Sequence, residues 1–323
     1  MDTVTSLTDT SIAMRRIIDN VETVITGKSS QVEAAVVCLF AGGNLLLEGV
    51  PGVGKTMLAR SLARSIGGSF RRVQATPDLL PSDMTGVSVY DQDRHEFRFV
   101  PGPIFANVVL VDEINRTTPR TQSALLEPME ERQVTVDGLT HRLPEPFFLI
   151  ATENPIEHHG TYPLPEGQLD RFTMSVRLDY PDPAHARELV TRQLKRHPIE
   201  DLEAVVTSDD VARLREPVRA VHVADGLVDY AVEIVTATRG HVDVQLGASP
   251  RAALALTRCA QALATVNGRD FALPDDVKAL APTVVAHRLV LRGQRRNEPE
   301  AARKIVQEAL EFLPVPLGAA EQV

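Results

Sequence analysis

The sequence is poor in lysine. Of its 34 basic residues only Lys28, Lys55, Lys195, Lys278 and Lys304 are lysines, the net charge is −9, and no basic patch stands out. A duplex-binding surface is therefore not expected, and nucleic acid is an unlikely partner on charge alone. Cysteine is scarce as well. Cys38 sits in AAVVCLF and Cys259 in ALALTRCAQAL, apolar helical contexts where a small buried thiol is the ordinary outcome, so neither is a candidate nucleophile and a reducing compartment is expected. Long apolar runs are missing, none approaching the roughly 20 residues that a membrane span needs. The opening MDTVTSLTDT is polar with an acid at position two, unlike a secretory signal, so a cytoplasmic location is expected. With 323 residues and 43% hydrophobic content, the chain has material for two domains.

What is present is organised around residues 44 to 56, NLLLEGVPGVGKT. Leu45 to Leu47 read as a short buried strand; glycines and a proline break it at once, and Lys55-Thr56 opens a helix. A phosphate chain needs bare backbone N–H groups pointing inward and the partial positive charge of a helix N-terminus, which glycines at such a junction provide. Spaced as G-x-x-x-x-G-K-[ST], this loop reads as a phosphate cradle in which Lys55 would reach the β- and γ-phosphates and the Thr56 hydroxyl would ligate Mg²⁺. The candidate nucleotide contacts are Gly49, Pro51, Gly52, Val53, Gly54, Lys55, Thr56 and Met57. Upstream, a helical period over residues 11 to 26 ends at Gly27, and a second helix over about 30 to 40 leads into the strand. The backbone from Ile25 to Lys28, Gly27 included, is a candidate adenine contact; plain helix packing explains it as well.

Downstream come a strand at about 70 to 75, the loop TPDLLPSDMTG, and the alternating runs VSVYD and EFRFV around a polar turn, a β-hairpin that is either a grip for a partner or a packing ornament. NVVLVDEINR follows. Its apolar β-branched run has the look of a central parallel strand, with two carboxylates at the end where ligands sit in open α/β sheets. Asp112 is placed to hold Mg²⁺ through its water shell, and Glu113 to polarise the attacking water as general base. A helix is expected over 119 to 132 with a possible bend at Pro128, then a second hairpin around Asp137-Gly138. PFFLIATENP repeats the strand-then-polar arrangement; Asn154 is assigned the orientation of water, with Glu153 a bystander.

In EHHGTYPLPEGQLDRF the adjacent His158 and His159, with Glu157 before them, lack metal-ligand spacing, so zinc is not expected. Arg171 follows a short helix and precedes a strand, where it could stabilise a phosphoryl-transfer transition state, in its own subunit or in a neighbour's.

Taken in order and spacing, GVPGVGKT, VVLVDEINR, FFLIATENP and LPEGQLDRF resemble an AAA+ ATPase of the MoxR family, over about residues 20 to 290. The resemblance assigns Lys55 and Thr56 to Walker A, Asp112 and Glu113 to Walker B, Asn154 to sensor 1 and Arg171 to the arginine finger. It likens the hairpins near 87 to 100 and 133 to 143 to the helix-2 insert and pre-sensor-1 hairpins. ATENP carries Glu153 where similar sequences often carry Gln. The implied fold is an α/β P-loop AAA+ parallel-sheet core at residues 1–181 followed by an all-α lid at 182–323, and helix follows helix from about 184 to 312 with no strand pattern. Arg251 opens one of these helices after Ser249-Pro250, where a cation suits the helix dipole only with an anion nearby; it matches the sensor-2 arginine, acting in cis or in trans. The implied activity is Mg-dependent ATP hydrolysis by a homo-oligomeric ring, a hexamer, that remodels, matures or inserts metal into a client alongside a von Willebrand factor A domain partner. Alternatives are a magnesium-chelatase-like subunit, an ATP-gated binding scaffold with little turnover, and a DNA-remodelling relative, which the acidic balance disfavours.

Overall fold

A computed structural model of the chain describes residues 6–154, 160–194, 198–293 and 298–316. Glu157, His158 and His159 lie outside the described residues. Helices α1 (Leu7–Glu22) and α2 (Ser29–Phe40) precede strand β1 (Leu45–Glu48) and helix α3 (Lys55–Ser65). Strand β2 (Phe70–Gln74), a short α4 (Pro81–Thr85) and the hairpin β3 (Gly86–Asp91) and β4 (Glu96–Pro101) follow, then β5 (Val108–Asp112), α5 (Pro119–Ser123) and α6 (Leu126–Glu131). A second hairpin, β6 (Gln133–Val136) and β7 (Leu139–Arg142), leads to β8 (Phe148–Glu153), α7 (Glu166–Leu169) and β9 (Met174–Arg177). The remainder is α8 (Pro183–Gln193), α9 (Ser208–Arg219), α10 (Asp225–Gly240), β10 (Val244–Leu246), α11 (Pro250–Val266), α12 (Pro274–Val285), β11 (Val290–Leu291) and α13 (Pro299–Phe312).

Five strands form one parallel sheet in the order β2-β5-β8-β1-β9. Its three inner strands, β5, β8 and β1, read as apolar runs because both their faces are covered, while the edge strand β2, FRRVQ, is largely exposed. Leu45, Leu47, Val108, Leu110, Phe148 and Ile150 enter one core with α1, α2, α3 and the C-terminal helices, while Leu46, Val109, Val111, Leu149 and Ala151 enter a second core with Met129 and Phe147. Register aligns the C-terminal ends: Gln74 opposes Asp112, and Glu48 opposes Glu153. α11 packs on α1, α2, α10 and α12, and α12 reaches β9, so the helical part shares the first core. Cys38 and Cys259 are buried there, and burial pushes the Cys259 thiol up to about 12. Among the described residues no helix is long and apolar enough to cross a membrane.

Three expectations need correction. α1 begins earlier, capped by Ser6, and ends at Glu22 rather than near 26, because Thr23 to Thr26 is a run of four β-branched residues that turns instead of continuing the helix. The single helix over 119 to 132 is two, α5 and α6. Pro128 has no N–H to give to the carbonyl of Ala124, four residues back, and its ring crowds that carbonyl, so the break falls there. Finally, the helical part does contain strands: β10 and β11 pair antiparallel in a small ladder.

Candidate functional site

Gly54 caps α3 from the left-handed region (φ 100) and offers no side chain to the first-turn N–H groups. Those of Thr56 and Met57 lie ahead of the intrahelical hydrogen-bond ladder, the position at which a helix N-terminus binds an anion. A side chain at Gly49 would drive a Cβ to 2.4 Å from the carbonyl oxygen of Leu178, so the loop passes there only as glycine. Pro51 and Gly52 are exposed, Val53 and Met57 pack partly on the first core, Thr56 is half-buried, and Lys55 is buried with its ammonium donating to the Gly49 carbonyl. Gly27 lies where a Cβ would meet the His185 ring at 2.7 Å. That ring is held by Asp182 (Nδ1 to Oδ2 2.5 Å), and Lys28 Nζ donates to the Asp179 carbonyl at 2.8 Å. The segment before α2 is thereby pinned to the start of α8.

Across β8 from the loop stand the two acids. Asp112 is 8% exposed; its Oδ1 accepts from Thr152 Oγ1 at 2.6 Å, and its Oδ2 from Arg72 Nε at 3.1 Å and Nη2 at 2.6 Å. Glu113 is held in the left-handed region at φ 58, a conformation that a non-glycine residue keeps only when its surroundings impose it. Three contacts do so: its N–H donates to Thr152 Oγ1 at 2.8 Å, and its Oε2 accepts from Gln74 Nε2 at 3.2 Å and Arg116 Nη1 at 3.1 Å. Asn154 follows β8, buried, between loop and acids. Burial pushes the Glu153 carboxyl up to about 7, with Glu48 opposite adding to the rise and the Lys55 ammonium opposing it. Glu153 is thus a half-buried acid with a raised pKa beside the cradle.

The two arginines sit elsewhere. The Thr173 N–H donates to the Asn44 carbonyl at 2.8 Å, and the Asn44 side-chain amide reaches toward the Arg171 carbonyl at 3.5 Å, which sets Arg171 beside the start of β1. Its Nε is 3.0 Å from Glu130 Oε2. Arg251, in the first turn of α11, places Nη2 2.5 Å from Glu130 Oε1 and Nη1 3.5 Å from Asp170 Oδ2. The anion its helix dipole calls for is therefore a pair of carboxylates. Arg288, nearly fully buried, adds a third guanidinium 3.6 Å from Asp170. From the start of β1 to its end is about 10 Å at the rise of a strand, with the whole loop beyond it, so these cations and the phosphate cradle occupy opposite ends of the sheet.

Arg72, Gln74, Arg116 and Glu130 were not candidates in the sequence. Arg72 and Gln74 had one available signal: both are polar on one face of FRRVQ, two apart on a strand that ends beside the acids. For Glu130 there was none.

A central strand ending in an uncapped, glycine-led helix, with acids at the end of a neighbouring strand, defines the P-loop nucleotide-binding class. The family profile described as ATPase family associated with various cellular activities matches residues 44–174, and an AAA lid domain profile matches 236–309. An uncharacterized protein, YeaC, of Bacillus subtilis is 49% identical over 93% of this chain and 94% of its own. Chaperone MoxR1 of Mycobacterium tuberculosis is 42% identical over 94% of this chain and 82% of its own. The crystal structure of a candidate ATPase from Cytophaga hutchinsonii superposes with a TM-score of 0.88 at 37% identity, covering 95% of this chain and 96% of that one. The chain belongs to the MoxR family of AAA+ ATPases.

Proposed function

We propose that the protein hydrolyses Mg·ATP at the junction of two copies of itself, in a closed ring taken as a hexamer, and spends the cycle on remodelling a client protein complex. One observation carries this: the cations assigned to the transition state, Arg171 and Arg251, stand at the opposite end of the sheet from Lys55 and Asp112 in the same chain. Head-to-tail packing brings one end to the other. In this reading Arg171 is a finger delivered to the neighbour, Arg251 acts in trans with it, Glu113 takes the proton of the attacking water and Asn154 orients that water.

The residues fit the groups they would hold. An uncapped eleven-residue helix suits a triphosphate. For Mg²⁺, the Thr56 hydroxyl and the Asp112 carboxylate are hard oxygen donors, and among the described residues no group of three His, Cys, Asp or Glu is placed to hold a metal, in keeping with an ion that binds through one carboxylate, phosphate and water. When bound, the ion neutralises charge on the β- and γ-phosphate oxygens. Gly27 and its neighbours would line the adenine. We place the boundary of core and lid at residues 181 and 182, in the Tyr180-Pro181-Asp182-Pro183 junction between the two matched profiles. Remodelling rests on the relative named as a chaperone; a von Willebrand factor A domain partner and metal insertion or complex maturation rest on the family resemblance alone.

Mixing tests the junction. Lys55→Ala keeps the finger and loses the cradle; Arg171→Ala does the reverse. Each alone is expected to release phosphate at background rate, and their mixture to recover turnover. A mixture as silent as its parts would reject the reading.

A further inference from the structure

Glu130 binds both arginines at once. It lies on α6, in the core; Arg171 follows α7, also in the core; Arg251 belongs to the helical part on α11. Oε2 faces Arg171 Nε at 3.0 Å and Oε1 faces Arg251 Nη2 at 2.5 Å, so each oxygen of one carboxylate serves a different guanidinium. The setting is partly shielded: Glu130 and Arg171 side chains are 31% and 23% exposed. Behind them, Ser249 Oγ donates to both oxygens of Asp170 at 2.9 Å, and Arg288 Nη2 donates to the Phe172 carbonyl at 2.8 Å.

Three guanidinium groups thus share two carboxylates at the start of β1 and β9. Two cations set side by side repel, and each carries a long stem whose rotamer freedom must be given up before it can serve a phosphate. A carboxylate between them offsets the repulsion and fixes both stems. The excess of positive charge leaves the cluster suited to one more anion.

We propose that Glu130 is a positioning residue that couples the finger to the lid: it holds Arg171 and Arg251 as one unit, so that both reach the neighbouring copy's phosphates together or not at all. The proposal rests on the reading that these arginines serve a neighbour's nucleotide. Its consequence is that any shift of α11 against the core that breaks the Arg251 contact also loosens Arg171. Lid position thereby controls hydrolysis in the adjoining subunit, while the nucleotide in its own subunit, at the far end of the sheet, is touched by neither contact.

The test places Glu130→Gln in one partner or the other of the mixed assembly. Carried by the Lys55→Ala chain, which supplies the arginines to the working junction, it is expected to lower the recovered kcat about tenfold with KM within about twofold, the pattern of lost transition-state positioning. Carried by the Arg171→Ala chain, whose arginine end is already idle, it is expected to leave the recovered rate within about twofold. A fluorescent ATP analogue should bind the single Glu130→Gln protein within about twofold of the unmodified chain, a readout independent of turnover. Equal effects in the two positions, or none in the first, would overturn the role of Glu130 while leaving the shared junction standing. Failure of the parent mixture to recover at all would instead remove the junction itself. Should Glu130→Gln melt early, Glu130→Asp, with the charge kept on a stem one methylene shorter, goes into the same two positions, and the dependence on position remains the readout.

Discussion

The two ends of the parallel sheet hold different parts of the proposed site. At the C-terminal end stand Glu48, Asp112, Glu113 and Glu153, with Lys55, Arg72, Arg116 and Arg177 among them; at the N-terminal end stand Arg171, Arg251 and Arg288, with Glu130 and Asp170 among them. The first end matches its acids with cations of its own, whereas the second sets three guanidinium groups against two carboxylates. A bound polyanion calls for further cations and a cationic cluster for an anion; copies packed head to tail would supply both. In the proposed reading, neither end is a complete catalytic site.

The sharpest way to break the comparison is to separate binding from turnover. Lys55→Ala removes the cradle's cation and is expected to weaken binding of an ATP analogue about 100-fold, the loss of one strong charge-assisted contact. Arg171→Ala should leave that affinity within about twofold and lower kcat about 10³-fold, as removal of an arginine finger does. Titration by fluorescence and phosphate release read the two effects on the same preparations. Loss of affinity in Arg171→Ala would mean that the ends are not independent.

A smaller effect lies within the phosphate-loop end. Arg72 holds Asp112 through two nitrogens, and a metal ion would compete with it for the same carboxylate. Arg72→Ala leaves that buried acid without its counter-charge, and the unliganded protein should lose about 1 kcal/mol, a modest figure because Arg72 is half exposed. Mg·ATP should restore it, so the rise in Tm on adding Mg·ATP is expected to be larger in the variant than in the unmodified chain. An equal rise would show that Arg72 and the metal do not share Asp112.

Much of the fold and of the phosphate-loop end was legible because its signals are local. The glycine loop, the apolar strands and the Asp137-Gly138 turn, with both residues at positive φ, declare themselves within a few residues. The contacts that missed are set by strand order. Arg72 meets Asp112 only because β2 lies beside β5, and Glu130 meets Arg251 only because α11 docks at the start of β9. These pairs are 40 and 121 residues apart in the chain, and no periodicity encodes them. β10 and β11 escaped for another reason: strands of three and two residues are too short to show alternation. Positions of the finger and sensor arginines were found by motif, but that they share one carboxylate was not.

The smallest effect concerns Glu153, and its sign depends on pH. Burial holds its carboxyl at about 7 in the folded chain against an ordinary 4.5. Between those values the folded chain keeps a proton that the unfolded chain has released, so stability falls as pH rises through the window, and the loss is complete above about pH 7. At 1.36 kcal/mol per unit the difference sets an upper bound of about 3 kcal/mol, reduced by whatever water reaches the edge of the sheet. Glu153→Gln cannot ionise and keeps the hydrogen-bonding shape. The variant and the unmodified chain should therefore unfold at nearly the same denaturant concentration at pH 5, and the variant should be the more stable by about 1 to 3 kcal/mol at pH 8. The matching change at the opposite end, Asp170→Asn, removes an acid surrounded by guanidiniums and should weaken the protein at pH 8 instead of strengthening it. Should both substitutions shift stability in the same direction at pH 8, the two ends would not differ in how they hold a carboxylate, and the comparison between them would fail.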